Sequence, residues 1–395
     1  MSVWDDLVGQ QRLVDVLVVA VTAAESALAG NPSAGMTHAW LFTGPPGSGR
    51  SNAARAFAAA LQCERRGCGE CLACRTSLAG SHADVTSIVT EQSVIRTDAA
   101  REAVRMSALS PANHRWQIMI VEDADRLHER AADALLKSLE EPAPRTVWLL
   151  CAPTVEDVVA TIRSRCRPLV LRTPPTSAVA EHLVDREGVS GAVASFAARA
   201  SQGHIGRARA LALDESSRNR RREVLRIPTQ LSDLGACMTT AANLIDVAAE
   251  EAKPRSETLD AKELHDLDLT YGAGSRGVRA TGFAAAHKEL QRDHRQRAKR
   301  FVRDSIDRSL LDLASFYRDV LALQLGAGSD LVNEELRHDL DTMARTTSGE
   351  LTTARLGAIF ETRELLETEI APLLALESLM ISLRGDGDHA GVRAL

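Results

Sequence analysis

Over roughly the first 170 residues, short apolar runs alternate with segments whose apolar residues recur at helical spacing. His38–Thr43 is a short apolar run that ends in Gly44-Pro45-Pro46-Gly47. Gln117–Val121 and Thr146–Ala152 are continuous apolar runs, the pattern of strands buried on both faces of a parallel sheet. Val85–Val89 is a weaker strand. Ser51–Leu61 places Ala54, Phe57, Ala58 and Leu61 at i, i+3, i+4, i+7 and reads as a helix. Helices are also predicted over Asp98–Ala108, Arg130–Glu141 and Val155–Arg163. The second of these is stopped by Pro142, which disfavours helical geometry in the residue before it. Strands interleaved with helices predict right-handed crossovers and a parallel sheet covered on both faces.

Pro174-Pro175 then breaks the chain. Ser177–Leu213 carries only helical patterns with Gly punctuation, a small helical module. From about residue 215 to the end the pattern is helical again. Asp304–Leu325 and Thr353–Leu383 are strongly amphipathic, and a kink is expected at Pro372. Before them, Asp246–Asp268 holds eight acids and three bases, Gly272–Gly282 is rich in Gly, and Arg276–Arg303 holds nine bases and two acids. This reads as an insertion near 250–300, partly mobile over 253–282. Pairing between the acidic and basic stretches is favoured over DNA binding, because no aromatics are interleaved for base stacking. Gly385–Leu395 reads as a frayed tail.

Composition narrows the class. At ~150 residues per domain, 395 residues suggest two or three domains. With 45% hydrophobic and 25% charged residues the chain is neither largely disordered nor fibrous. Aromatics are only 3%, so Ala, Leu and Val must build the cores. A net charge of −6 excludes a general polycation. The preference for Arg over Lys is read as genome composition. No apolar run reaches the ~18 to 20 residues of a membrane span. Leu13–Leu28 comes closest, and Asp15 and Glu25 interrupt it. The acidic start Met1–Asp6 has no signal-peptide apolar region, so a cytoplasmic protein is expected.

Four motifs carry chemistry. Gly44-Pro45-Pro46-Gly47-Ser48-Gly49-Arg50-Ser51 matches the phosphate-loop pattern G-x-x-x-x-G-K-[ST], except that Arg50 replaces Lys. Its glycines let backbone N–H groups converge on phosphate, and Ser51 would contact Mg²⁺. Arg is planar and fork-shaped, so it cannot simply replace a compact Lys charge. Ile118–Asp125 is an apolar strand followed by acids, as in a Walker B element; here the order is Glu122-Asp123. The alternative is that Glu122, Asp123 and Asp125 only cap the next helix. Cys63, Cys68, Cys71 and Cys74 can close a tetrahedral Zn–S₄ site, expected to be structural. An iron–sulfur cluster is the rival occupant. The last motif is Ser164-Arg165-Cys166, which alone means nothing.

The order of these motifs, with Leu135-Leu136-Lys137-Ser138-Leu139-Glu140-Glu141-Pro142 between the second and fourth, resembles the bacterial DNA polymerase III clamp-loader family. Asp5-Asp6-Leu7-Val8-Gly9-Gln10 resembles that family's adenine-side segment. The resemblance spans residues 1 to about 213. It implies an α/β RecA-like AAA+ P-loop domain over 1–173 with a zinc module at 63–74. A small helical lid over 174–213 and an all-α collar over 214–395 would follow. The implied nucleotide contacts are Val8, Gly9, Gly44, Pro45, Pro46, Gly47, Ser48, Gly49, Arg50, Ser51, Glu122 and Asp123, for ATP or ADP with Mg²⁺ where binding is retained. Arg165 would act as a finger in a neighbour's site. Implied partners are the gamma/tau and delta subunits, and through them the sliding clamp and primer–template DNA.

Two members share this layout, the gamma/tau motor and the delta-prime subunit. Arg50, the Glu122-Asp123 order, Ala152-Pro153-Thr154 where a motor carries a sensor hydroxyl, and a Gly for the second sensor Arg in Gly203-His204-Ile205-Gly206 all favour delta-prime. A motor subunit is the alternative. A metal-dependent redox protein on a P-loop scaffold is a third reading.

Overall fold

The apolar runs sort residue by residue onto two faces of one sheet. Five strands, β1 (Ala39–Thr43), β2 (Val85–Ile88), β3 (Gln117–Val121), β4 (Thr146–Ala152) and β5 (Arg167–Val170), are all parallel in the order β2-β3-β4-β1-β5. Side chains alternate across a strand. Trp40, Phe42, Ile118, Ile120, Val147, Leu149 and Cys151 therefore enter one core, with α1 (Gln11–Leu28) and α2 (Arg50–Gln62). Leu41, Met119, Val121, Trp148 and Leu150 enter the other, with α4 (Thr97–Ser107) and α5 (Glu129–Glu140). The small helix α3 (Leu72–Leu78) packs beside α2. The computed structural model describes residues 2–31, 34–89, 94–113, 115–271, 282–328, 330–368 and 370–384.

The helix predicted over Val155–Arg163 is confined to α6 (Ala160–Arg163). Upstream of it, the Thr154 amide donates to Asp157 Oδ2 at 2.9 Å and the Asp157 amide to Thr154 Oγ1 at 3.3 Å, a polar turn in place of helix. β5 was not predicted. It is an edge strand with mostly exposed side chains, so it lacks an apolar run and tolerates Pro168. After it, α7 (Thr176–Glu187), α8 (Gly191–Ser201) and α9 (Ile205–Leu213) close a small core of Val179, Leu183, Ala197, Ala198 and Leu211, which also takes in Val8.

The chain divides into two compact units, Met1–Leu213 and Asp214–Leu395. The second is helical: α10 (Glu215–Gln230), α11 (Leu234–Thr270), α12 (Phe283–Gln324), α13 (Arg337–Thr346), α14 (Gly349–Leu366) and α15 (Pro372–Arg384). Its core includes Cys237, Ala241, Leu244, Ile306, Leu310, Phe316, Ile359, Leu376 and Met380. Pro372 opens α15 instead of kinking one long helix, which suits a ring that needs no N–H at the first helical position.

Residues 253–270 and 283–300, predicted as part of an insertion, are the ends of α11 and α12. Residues 272–281, most of the Gly-rich stretch, and the tail 385–395 lie outside the described residues. The acidic and basic stretches do pair. The buried Arg297 guanidinium reaches Asp260 at 2.6 Å and both Glu263 oxygens at 2.7 Å, and His294 Nε2 lies 2.8 Å from Glu263. Among the described residues no helix is long and apolar enough to cross a membrane.

Candidate functional site

The carboxyl ends of β1, β3 and β4 deliver the three segments expected around a nucleotide. In sheets of this kind, ligands occupy the crevice beyond the strand ends. After β1 the chain turns through Gly44–Ser51 into α2, whose N-cap is Gly49 with φ +94°. The loop lies against β4's exit: the Gly44 amide donates to the Pro153 carbonyl at 3.0 Å. Ser48 donates its amide to the Pro45 carbonyl at 3.1 Å. Ser48 Oγ is buried with no hydrogen-bond partner among the described residues.

Arg50 does not extend as the expected lysine would. Its guanidinium bends back and donates to the Gly44 carbonyl at 2.5 Å, within its own loop. Glu122, at the end of β3, forms an ion pair with Arg55, one and a half turns along α2. Both cations are thus committed to protein acceptors, and the acid that would face a metal ion is neutralised. Asp125 is half-buried, and that burial raises its carboxyl above the ordinary range, with Asp123 adding to the effect. Burial also pushes the Cys151 thiol up, leaving it a protonated, inert core group.

Two contacts were not read from the sequence. His204, just before α9, packs on the loop: a side-chain carbon at Gly47 would come within 2.1 Å of the His204 ring. With φ +80° as well, position 47 admits only glycine. Arg55 is the other, and its α-helical spacing from the loop gave no signal. Val8 is buried among the helices that follow β5, and Gly9 fits under Pro174 and Pro175, where a Cβ would meet Pro175 Cδ at 3.0 Å. These two residues lie against the 174–213 segment, and no polar contact ties them to Gly44–Ser51. Thr154 is exposed and its hydroxyl accepts from Asp157.

Arg165 sits between α6 and β5, partly exposed. Its Nε donates to Glu140 Oε1 at 2.8 Å, and its Nη2 joins the same oxygen in an ion pair. Nη1 donates to the Thr161 carbonyl at 2.6 Å. The guanidinium is therefore held at the surface by the acid that ends α5, away from the Gly44–Ser51 loop.

The four cysteines converge. Cys63 ends α2, Cys71 caps α3, and all four sulfurs lie within 4.8 Å of one another. The Cys63–Cys68 and Cys63–Cys71 distances are both 3.7 Å. A tetrahedron with Zn–S bonds of ~2.3 Å has edges of about 3.8 Å, so the donors fit that ion. Backbone N–H groups of Glu70 and Cys71 pull the Cys68 thiol down to about 6. Burial pushes the Cys74 thiol up. A second group, Asp260, Glu263 and His294, already encloses the Arg297 cation.

Comparison with known proteins locates the family likeness. Residues 27–175 match the family model described as DNA polymerase III, delta subunit. A DNA polymerase III subunit delta' of Pseudomonas aeruginosa is 36% identical over 152 residues, 37% of this chain and 46% of that protein. The subunit tau of Bacillus subtilis is 28% identical over 240 residues, 59% of this chain and 41% of that protein. A gamma-subunit-related structure from Thermotoga maritima covers 92% of this chain and 98% of that one, at 14% identity and a TM-score of 0.43, too low to build on. The matched stretches span about half or less of these curated relatives. Residues 27–175 are thus similar in sequence to DNA polymerase III subunits of the delta and delta' kind.

Proposed function

We propose that this chain is a clamp-loader subunit of the delta-prime kind. It would complete a neighbour's ATP site instead of turning over ATP in its own. The observation that carries this reading is the contrast between two arginine sites. Arg50 and Arg55 tie up the chain's own loop and Glu122, while Arg165 is presented at the surface. Residues 174–213 would be the lid and residues 214–395 the collar that assembles with gamma/tau and delta partners. Cys63, Cys68, Cys71 and Cys74 would hold one structural Zn²⁺, whose chemistry is to cross-link the loop after α2. The sliding clamp and primed DNA would be reached through the assembled complex.

The motor subunit is a second reading, and the long match to a tau subunit favours it. Turnover separates the two. The purified chain is expected to hydrolyse ATP at background rate. Arg50→Lys alone should stay there, because Glu122 remains paired with Arg55. Strong turnover by the unmodified chain, or full activity from that single substitution, would overturn the delta-prime reading. Mixing the chain with gamma/tau and delta partners and reading the native mass tests the assembly itself; no complex would sink both subunit readings.

A further inference from the structure

The basic stretch in α12 resolves into two populations. One is engaged by acids: Arg297 is buried against Asp260 and Glu263, while the more exposed Arg303 and Arg308 pair with Glu367 and Glu251. The other is Lys288, Arg292, Arg295 and Lys299, all exposed, and none in an ion pair with a described residue. Their spacing is 4, 3 and 4. At about 100° per residue the four fall within an arc of about 60°, one stripe of the helix. At about 1.5 Å per residue they extend over about 17 Å. The acids Glu289 and Asp293 lie outside that arc.

The stripe is on a stretch that the C-terminal core does not need. On α11 the apolar core positions end at Ala248, and on α12 they resume at Val302 and Ile306. Between these points the helices are joined by polar and ring contacts: Arg297 and His294 with Asp260 and Glu263, Arg255 over Phe301, and Phe283 against Tyr271. The buried pairing holds the hairpin together and leaves the stripe to solvent. An ordinary solvated helix face carries both signs of charge. The stripe itself carries only cations, with the exposed Glu289 about 60° beyond its edge, although the whole chain has net charge −6.

We propose that Lys288, Arg292, Arg295 and Lys299 form a binding surface for the phosphate backbone of duplex nucleic acid. Phosphates recur about every 3.4 Å along one strand, so a stripe of about 17 Å faces about five of them. No aromatic residue lies on the stripe, which excludes base stacking and favours a duplex over a single strand. Such contacts read charge and shape, not sequence. The choice of nucleic acid over an acidic protein rests on the clamp-loader reading above.

The test is binding of a labelled duplex to the full-length chain, followed by anisotropy as salt rises. Each neutralised phosphate contributes about 0.9 to the slope of log K against log salt. The quadruple variant Lys288→Gln, Arg292→Gln, Arg295→Gln, Lys299→Gln should lower that slope by about 3 to 4, with each single variant lowering it by about 0.9. A control with Arg12, Arg101, Arg222 and Arg226 changed to Gln removes the same charge from other exposed positions and should leave the slope nearly intact. All eight positions are exposed, and unchanged helical circular dichroism verifies the fold. An unchanged slope in the stripe variant, or an equal loss in the control, overturns the proposal. Polyglutamate competing as well as duplex at equal charge overturns the nucleic-acid assignment. Assembly with gamma/tau and delta partners, measured on the same variant, separates these outcomes: a complex that forms normally while the slope is unchanged removes the stripe and leaves the subunit reading standing.

Discussion

Cys71→Ser protein is expected to lose its stoichiometric zinc and to exchange amide hydrogens quickly over Gln62–Gly80, while the parallel sheet keeps its protection. The reason is where each cysteine is anchored. Cys63 and Cys74 are buried against α2 and belong to the sheet's core. Cys68 and Cys71 are only partly buried. Between Cys63 and Cys71 the loop is pinned by few other contacts, among them the Val3 amide on the Gly67 carbonyl at 3.0 Å and the Ser2 hydroxyl on the same carbonyl at 3.2 Å. Cys71 also accepts from the Cys74 amide at 3.4 Å, so its sulfur caps α3 as well as facing the other three. Without it the tetrahedron is open, while the serine hydroxyl can still cap the seven-residue helix, so the loss reports the metal site and not the cap.

Magnitudes decide how far the damage spreads. Structural zinc contributes about 10 to 16 kcal/mol of apparent binding free energy in small zinc-dependent folds. That exceeds anything a short loop with a handful of hydrogen bonds can supply. The sheet, by contrast, has two apolar cores that do not depend on the metal. Elemental analysis finding no zinc in the unmodified chain, or finding iron, would count against the site. Equal loss of protection across β1, β3 and β4 would show that the module supports the whole sheet.

What was legible in the sequence follows from burial. Gln117–Val121 and Thr146–Ala152 coincide with β3 and β4 to the residue, because strands covered on both faces must be apolar throughout. Edge position hid β5, since its exposed side chains carry no such pattern. Residues 253–270 and 283–300, expected as part of an insertion, are helical, and their dense charge masks the apolar periodicity that marks other helices. The expected pairing of the acidic and basic stretches is found across these two helices, at Arg297 with Asp260 and Glu263. At the candidate sites, motif residues were found because spacing is local. The contacts of Arg55, His204 and Glu140 were not, because each acts on a motif residue far from it in sequence.

Arg165→Ala is expected to leave folding, zinc content and assembly unchanged and to lower ATP turnover by the partner subunits. An arginine delivered from a neighbour stabilises charge on a transferring γ-phosphoryl group, worth ~10³ to 10⁵ in rate in GTPase systems. Its fork matches phosphate oxygens and it stays charged. In the isolated chain that fork is held by Glu140 through a partly exposed ion pair, and such pairs contribute only about 0 to 1 kcal/mol. A nucleotide phosphate in a neighbouring subunit would therefore compete for it readily. Losing the guanidinium removes a surface group with few packing contacts, so stability should change by less than about 1 kcal/mol. Within the complex the fall in turnover should be partial, because one ATP site among several loses its finger, and clamp loading should slow with it. Glu140→Gln provides the companion measurement: it frees the arginine without removing it, so turnover should hold or rise. If Arg165→Ala leaves both turnover and clamp loading unchanged, the residue is a surface arginine paired with Glu140 and has no part in the mechanism.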